Sequence, residues 1–215
     1  MKFDLLFEEI IKDYSFENTN VKAIFVSGRM NPPTAGHEMV INHAMKIADD
    51  ENRELFVFVT RTKDTKKNPL DFSDKVDLLD AVFDKVRFVD DSGIKGPFDA
   101  GYWLRDHGFK DVKMVAGSDR VKDFQERFDK YNWHETEVGD DKLAFKFDKF
   151  KVVSVGAERD PDSDDASGIS ASKAREEADK GNLQGFMQLL PSNTPYEMGE
   201  MIYHKIRAEH GISGE

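Results

Sequence analysis

The stretch from Lys22 to Ala48 constrains this chain more than any other. A short apolar run, Ala23-Ile24-Phe25-Val26, leads into Gly28, then the adjacent prolines Pro32 and Pro33, then Gly36-His37. Apolar residues at helical spacing follow: Met39, Val40, Ala44, Met45, Ile47 and Ala48. This reads as a strand, a sharp turn and a helix start. The first turn of a helix has N–H groups without intrahelical partners and carries the positive end of the dipole, so it attracts anions. Gly28 permits the turn, and Gly36 has no side chain to keep a ligand from the backbone. Thr34 and His37 offer side-chain donors on the same side, and Arg29 adds a charge. The pattern suits a phosphate group.

Downstream, strand and helix patterns alternate. Strands are predicted at 22–27, 54–60, 86–89, 111–116 and 150–155, with helices at 37–49, 73–83, 98–107 and 119–131. Such alternation implies an α/β fold: a single Rossmann-like domain with a doubly wound, mostly parallel five-stranded sheet and flanking helices. Lys142 to Phe147 also alternates, with Leu143, Phe145 and Phe147 on one side, and reads as an extra edge strand or hairpin arm. Three further helices are expected at 171–180, 183–189 and 195–210. Residues 3–13 form an amphipathic pattern, with Phe3, Leu6, Phe7, Ile10 and Ile11 on one side. The chain therefore divides into a leading helix and connector (1–20), a core (21–191) and a C-terminal helix (192–215).

Composition narrows the function. At 215 residues, 39% of them hydrophobic, the chain suits one domain with a proper core. The absence of cysteine excludes a disulfide scaffold, a zinc–thiolate site and a cysteine nucleophile. No run of apolar residues has membrane-spanning length and the start lacks a signal peptide's apolar centre, so a cytoplasmic protein without membrane association is expected. With 31 basic and 42 acidic residues the net charge is −11, which argues against a nucleic-acid partner. Positive charge is instead concentrated after predicted strands and at helix starts: Arg29, His37, Arg61, Lys63, Lys66, Lys67, Arg120, Lys173 and Arg175. In an open α/β sheet these segments converge at the carboxyl ends of the strands. A basic funnel in an acidic body draws in a small anion.

Gly28 to His37 resembles the G-x-F-x-P-x-[HT]-x-G-H signature of the nucleotidyltransferase superfamily, with Met30 where Phe is usual. A second stretch, Ile169-Ser170-Ala171-Ser172-Lys173-Ala174-Arg175, resembles that family's I-S-x-[ST]-x-x-R. The two occur in the expected order, each at a predicted helix start and about 130 residues apart. The superfamily includes nicotinamide-mononucleotide, phosphopantetheine and FMN adenylyltransferases, and choline-phosphate and glycerol-phosphate cytidylyltransferases. The Gly-Arg opening and double proline are most similar to archaeal-type nicotinamide-mononucleotide adenylyltransferases.

The resemblance implies transfer of a nucleotidyl group from ATP or CTP to a phosphorylated small molecule, adenylyl transfer being favoured. His37 is then the donor to the α-phosphate. Thr34 stands where many members have a first histidine; Thr occurs there in active branches. Ser170, Ser172 and Arg175 correspond to the clamp on the β- and γ-phosphates, although Ser170 also reads as a plain helix N-cap. Lys66-Lys67-Asn68-Pro69 resembles a segment in which a lysine holds the acceptor phosphate or bridges to the α-phosphate, with Arg61 in reserve. Ala116-Gly117-Ser118-Asp119-Arg120 resembles the segment lining the nucleotide pocket, Asp119 and Arg120 being candidate contacts. Gly28, Arg29, Met30, Gly36 and Gly117 complete the nucleotide site. Mg2+ is expected to arrive with the triphosphate, and no protein metal site is expected: the acidic run at 158–165 lacks calcium-loop spacing and reads as a solvated loop or lid. Relatives are often dimers or larger, and the oligomeric state of this chain stays open, a homo-oligomer included. Two alternatives remain open: a cytidylyltransferase acting on an alcohol phosphate, and a binding or assembly protein of this fold without turnover.

Overall fold

Strand faces alternate so regularly in this chain that the sheet has two apolar sides, and each side must be covered. The computed structural model describes residues 21–84, 86–133, 144–155 and 170–212. It contains strands β1 (Lys22–Gly28), β2 (Glu54–Val59), β3 (Arg87–Phe88), β4 (Asp111–Ala116) and β5 (Lys149–Ser154). All pair in parallel, in the order β3-β2-β1-β4-β5. The helices are α1 (Ala35–Glu51), α2 (Phe72–Val82), α3 (Pro97–Asp106), α4 (Val121–Lys130), α5 (Ala171–Asp179), α6 (Leu183–Met187) and α7 (Tyr196–Glu209). The doubly wound α/β expectation is therefore met, with the strand order reversing between β1 and β4.

Period-two alternation decides which residues meet which helices. Ile24, Val26, Val57, Val59 and Val115 form one core with Ile41, Ala44 and Ala48 of α1 and Leu79 of α2. The alternate residues Ala23, Phe25, Phe56, Phe58, Val112 and Met114 face Ala100 and Leu104 of α3 and Phe128 of α4. That second core is crowded with rings: Phe128 and Phe145 lie 4.8 Å apart and Phe128 and Phe150 4.2 Å. Trp103 packs here, 5.4 Å from the ring of Phe56, so it belongs to the core rather than to a base-stacking site. A third cluster joins Ala174 and Ala178 of α5, Phe186 of α6, and Ile202, Tyr203 and Ile206 of α7 to Leu70 and Leu78.

Three sequence expectations need adjustment. The alternating segment ending at Phe147 is not an edge strand over its described part: Ala144, Phe145 and Phe147 are all buried, and Lys146 adopts a positive φ of 57° that breaks any extended run. Asn132 instead clamps Phe147, accepting from its N–H at 2.8 Å and donating to its carbonyl at 3.1 Å. The third strand is reduced to two residues at the sheet edge. The helix expected from 119 begins as a 3-10 turn, Ser118–Arg120. The leading helix at 3–13 and the acidic run at 158–165 lie outside the described residues. No helix among the described residues is long and apolar enough to cross a membrane.

Candidate active site

The carboxyl ends of β1, β2 and β4 and the start of α5 surround one open cavity of about 540 Å³. It sits where the strand order reverses, the usual ligand position in an open α/β sheet. After β1 the chain runs through Arg29, Met30 and Asn31 before the prolines and α1. Met30 is buried with φ of 47°, a left-handed conformation that costs a non-glycine residue about 1 kcal/mol or more. The loop is thus held against its local preference.

Asn31 does much of that holding. Buried, it accepts from the Leu70 N–H at 3.0 Å and donates to the Leu70 carbonyl at 3.1 Å. Its own carbonyl accepts from Arg175 Nη1. One residue therefore ties the loop after β1 to the loop after β2 and to α5, across a sequence separation of 144. Arg175 Nη2 also donates to Ser172 Oγ at 3.1 Å, beside the start of α5. Burial, and then the neighbouring Arg29, push Arg175 below its ordinary value.

At the start of α1, Thr34 is the N-cap and His37 the third helical residue, in a reciprocal capping arrangement. The Thr34 N–H donates to His37 Nδ1 at 3.1 Å. A backbone N–H can only donate, so Nδ1 is an acceptor and the imidazole proton is assigned to Nε2. Thr34 is fully buried. Its hydroxyl lies 2.9 Å from His37 Nδ1, so it is engaged with the histidine. The amides of this turn are also less available than the sequence suggested: Ala35 N–H is taken by the Leu189 carbonyl at 3.0 Å, and those of His37 and Glu38 by the Thr34 carbonyl. The Gly36 N–H has no backbone partner among the described residues. Side chains carry more of the cradle than a bare helix start would.

The loop after β2 is folded around Asp64, whose carboxylate accepts from the N–H groups of Lys66 (3.0 Å) and Lys67 (2.6 Å) and from the Asn68 side chain. Those bonds, the Lys67 N–H first, hold Asp64 well below the usual carboxylate range. The turn brings Lys67 and the buried Asn68 to the cavity wall and leaves Lys66 off it. At α5, Ser170 Oγ accepts from the Lys173 N–H at 3.2 Å while also lining the cavity, so the capping and ligand-facing readings coexist.

Of the residues singled out in the sequence, the wall brings together Arg29, Met30, Thr34, Gly36, His37, Lys67, Arg120, Ser170, Ser172 and Arg175. Gly28, Arg61, Lys66, Gly117 and Asp119 do not line it. Arg61 pairs with Asp90 and lies over the Phe72 ring at 4.2 Å, which turns it away. Asn31, Val40, Asn68 and Ala171 line the cavity without having been singled out. Asn31 and Asn68 stood inside quoted motifs, so position within a motif was the available signal. Besides His37, the wall holds four basic side chains, Arg29, Lys67, Arg120 and Arg175, and no Asp or Glu among the described residues. No cluster of three metal-ligating side chains occurs among those residues either.

A cavity rich in cations and, among the described residues, free of carboxylates, at the switch point of a parallel sheet, suits a nucleotide's phosphates. The chain belongs to the cytidylyltransferase-like family, whose pattern matches residues 25–177, and so to the nucleotidyltransferase superfamily. The nicotinic acid mononucleotide adenylyltransferase of Plasmodium falciparum, complexed with NaAD, has a similar fold. It superposes with a TM-score of 0.56 at 17% identity, over 86% of this chain and 98% of that one. A putative nicotinate-nucleotide adenylyltransferase from Vibrio parahaemolyticus superposes with a TM-score of 0.52 at 13% identity, over 85% and 95%. No protein of curated function matches the sequence.

Proposed function

We propose that the protein transfers a nucleotidyl group, adenylyl in preference to cytidylyl, from a nucleoside triphosphate to a phosphorylated small molecule, releasing pyrophosphate. The observation that carries this is the cavity wall. It joins both signature stretches through the Arg175–Asn31 bond, and among the described residues its charge is wholly positive. An oxygen of the acceptor attacks the α-phosphorus, the new P–O bond forms, and the bond to the β-phosphate breaks with pyrophosphate as leaving group. The protein supplies alignment and charge compensation, with no covalent intermediate. His37 Nε2–H donates to the α-phosphate oxygen as its charge grows. Arg175, Ser170 and Ser172 hold the β- and γ-phosphates. Lys67 and Arg120 take the acceptor's phosphate. Thr34 is a positioning residue for His37.

The donor set fits Mg2+ delivered with the triphosphate, because among the described residues the wall offers amides, hydroxyls and cations but no carboxylate to hold an ion. Bound that way, the ion neutralises charge on the phosphates. Adenylyl transfer is favoured by the fold neighbours, one of them complexed with NaAD and, in a second structure, with APC. Cytidylyl transfer is kept by the family description. Pyrophosphate release measured with each of the four nucleotides against a panel of phosphorylated acceptors tests the proposal. Release with ATP supports it and release with CTP alone favours the second reading. No release with any pair, together with no triphosphate binding, points to a binding or assembly protein.

A further inference from the structure

Lys75, in the first turn of α2, is the one lysine among the described residues whose side chain is wholly buried, and it lies outside the cavity wall. Its Nζ donates to the Thr60 carbonyl at 2.5 Å. Thr60 is the residue just past β2, and its own N–H donates to the Gly28 carbonyl at 3.1 Å. Gly28 ends β1 and is the root of the phosphate-facing loop. A buried ammonium and that root are thus separated by a single residue.

The setting is poor for an ammonium kept only for packing. It has three donors, and the Thr60 carbonyl is its one hydrogen-bond partner among the described residues; the Thr60 hydroxyl is buried without any. No carboxylate is its own. Asp71 is engaged by Lys63 at 2.8 Å and Lys205 at 3.4 Å, and Asp74 by Lys205 at 2.6 Å and by the Asp71 N–H at 2.9 Å. Lys63 is shared with Glu209 of α7 at 3.3 Å. Burial pushes Lys75 down to about 8, Asp71 and Asp74 raise it only in part, and Arg61 lowers it further. An apolar side chain of similar length would fill this place at lower cost.

We propose that Lys75 is a positioning residue for the phosphate-facing loop: its ammonium fixes the Thr60 carbonyl and, through the Thr60–Gly28 bond, holds the root of the loop in the geometry that receives a triphosphate. This rests on the triphosphate reading of the cavity. Loss of the proton turns a charge-assisted bond into a neutral one of about half the strength and frees the root to move.

The test has two arms. Protein labelled with 13C at lysine Cε and 15N in the backbone is titrated by NMR from pH 6.5 to 9.5. A Lys75 signal with a midpoint near pH 8 should be accompanied by Thr60, Arg29 and Met30 amide shifts of the same midpoint, lost in Lys75→Met and in Lys75→Arg. In parallel, calorimetry with inorganic tripolyphosphate and with ATP should show Lys75→Met binding about tenfold more weakly than wild type at pH 7, with that deficit narrowing by pH 9. Lys75→Arg should hold its affinity better than wild type as the pH rises. Amides of Arg29 and Met30 that ignore the lysine's titration, or equal affinity in Lys75→Met and wild type at pH 7, overturn the proposal. Should Lys75→Met not fold, Lys75→Arg decides alone: a surviving pH 8 step in its amides overturns the assignment. Coupled amide shifts with neither probe bound at any pH would sink the triphosphate reading and leave the positioning role intact.

Discussion

Replacing Lys75 by methionine should make the protein more stable at neutral pH, and the gain should fade in alkali. In the unfolded chain this lysine titrates at the ordinary 10.5, and in the fold at about 8. At about 1.4 kcal/mol per unit, the buried charge opposes folding by roughly 3 kcal/mol at pH 7. The sign follows from proton counts. Between about pH 8 and 10.5 the unfolded chain holds a proton that the folded protein has released, so the lysine's contribution to stability rises with pH across that window. It is complete above 10.5 and lost as the pH falls through 8. Methionine removes the charge but also the bond to the Thr60 carbonyl, a loss of about 1 kcal/mol. The net gain at pH 7 is therefore about 2 kcal/mol. Urea unfolding of wild type and Lys75→Met at pH 7, 8, 9 and 10 gives the difference directly. A difference that stays constant over this range, or a variant less stable than wild type at pH 7, would show that the ammonium is better accommodated than its surroundings indicate. Paired with weaker triphosphate binding, the gain would mark a residue kept for function against stability.

Four other substitutions probe the site and its supports. His37→Ala should lower turnover by about 10²–10³ with little change in nucleotide affinity, as when an oxyanion donor is lost, whereas Arg175→Ala should chiefly weaken triphosphate binding, by about tenfold to a hundredfold; steady-state kinetics and calorimetry separate the two. Asn31→Ala strands the buried Leu70 N–H and carbonyl and should destabilise the fold by about 2–4 kcal/mol in denaturant titration. Gly101→Ala would place a methyl 2.8 Å from Phe145 and 2.9 Å from Phe128, overpacking the aromatic core by about 1–3 kcal/mol, which a thermal melt detects.

The strands and helices of the sheet could be read from apolar spacing because the central strands β1, β2 and β4 are buried on both faces and the helices on one. Strand order could not, since pairing of β1 with both β2 and β4 is decided by how the helices cover the sheet. The stretch ending at Phe147 misled for a physical reason. Alternation predicts a strand only where a neighbour's backbone is available, and Asn132 supplies those bonds from a side chain instead. In the cavity, Arg29, His37 and Arg175 stood out by type and motif. The sequence put Lys66 with the catalytic residues and Lys67 with the substrate contacts, and the turn around Asp64 brings only Lys67 to the wall. Lys75 did leave a trace. It lies three and four residues before Leu78 and Leu79, on the apolar side of α2, although a lysine in a helix ordinarily reads as solvated.

The start of α1 leans on distant chain: the Leu189 carbonyl receives the Ala35 N–H, and Ser192 donates from N and Oγ to Glu38 at 2.8 and 2.6 Å. Nothing between Leu183 and Glu209 lines the cavity, yet that stretch sets where the histidine's helix begins and, through the third apolar cluster, where Arg175's helix rests. The last two helices thus serve as the fixture that keeps two independent half-sites in register. Wear in that fixture, by proteolysis or substitution far from any ligand, would be felt first as lost affinity and only later as lost folding.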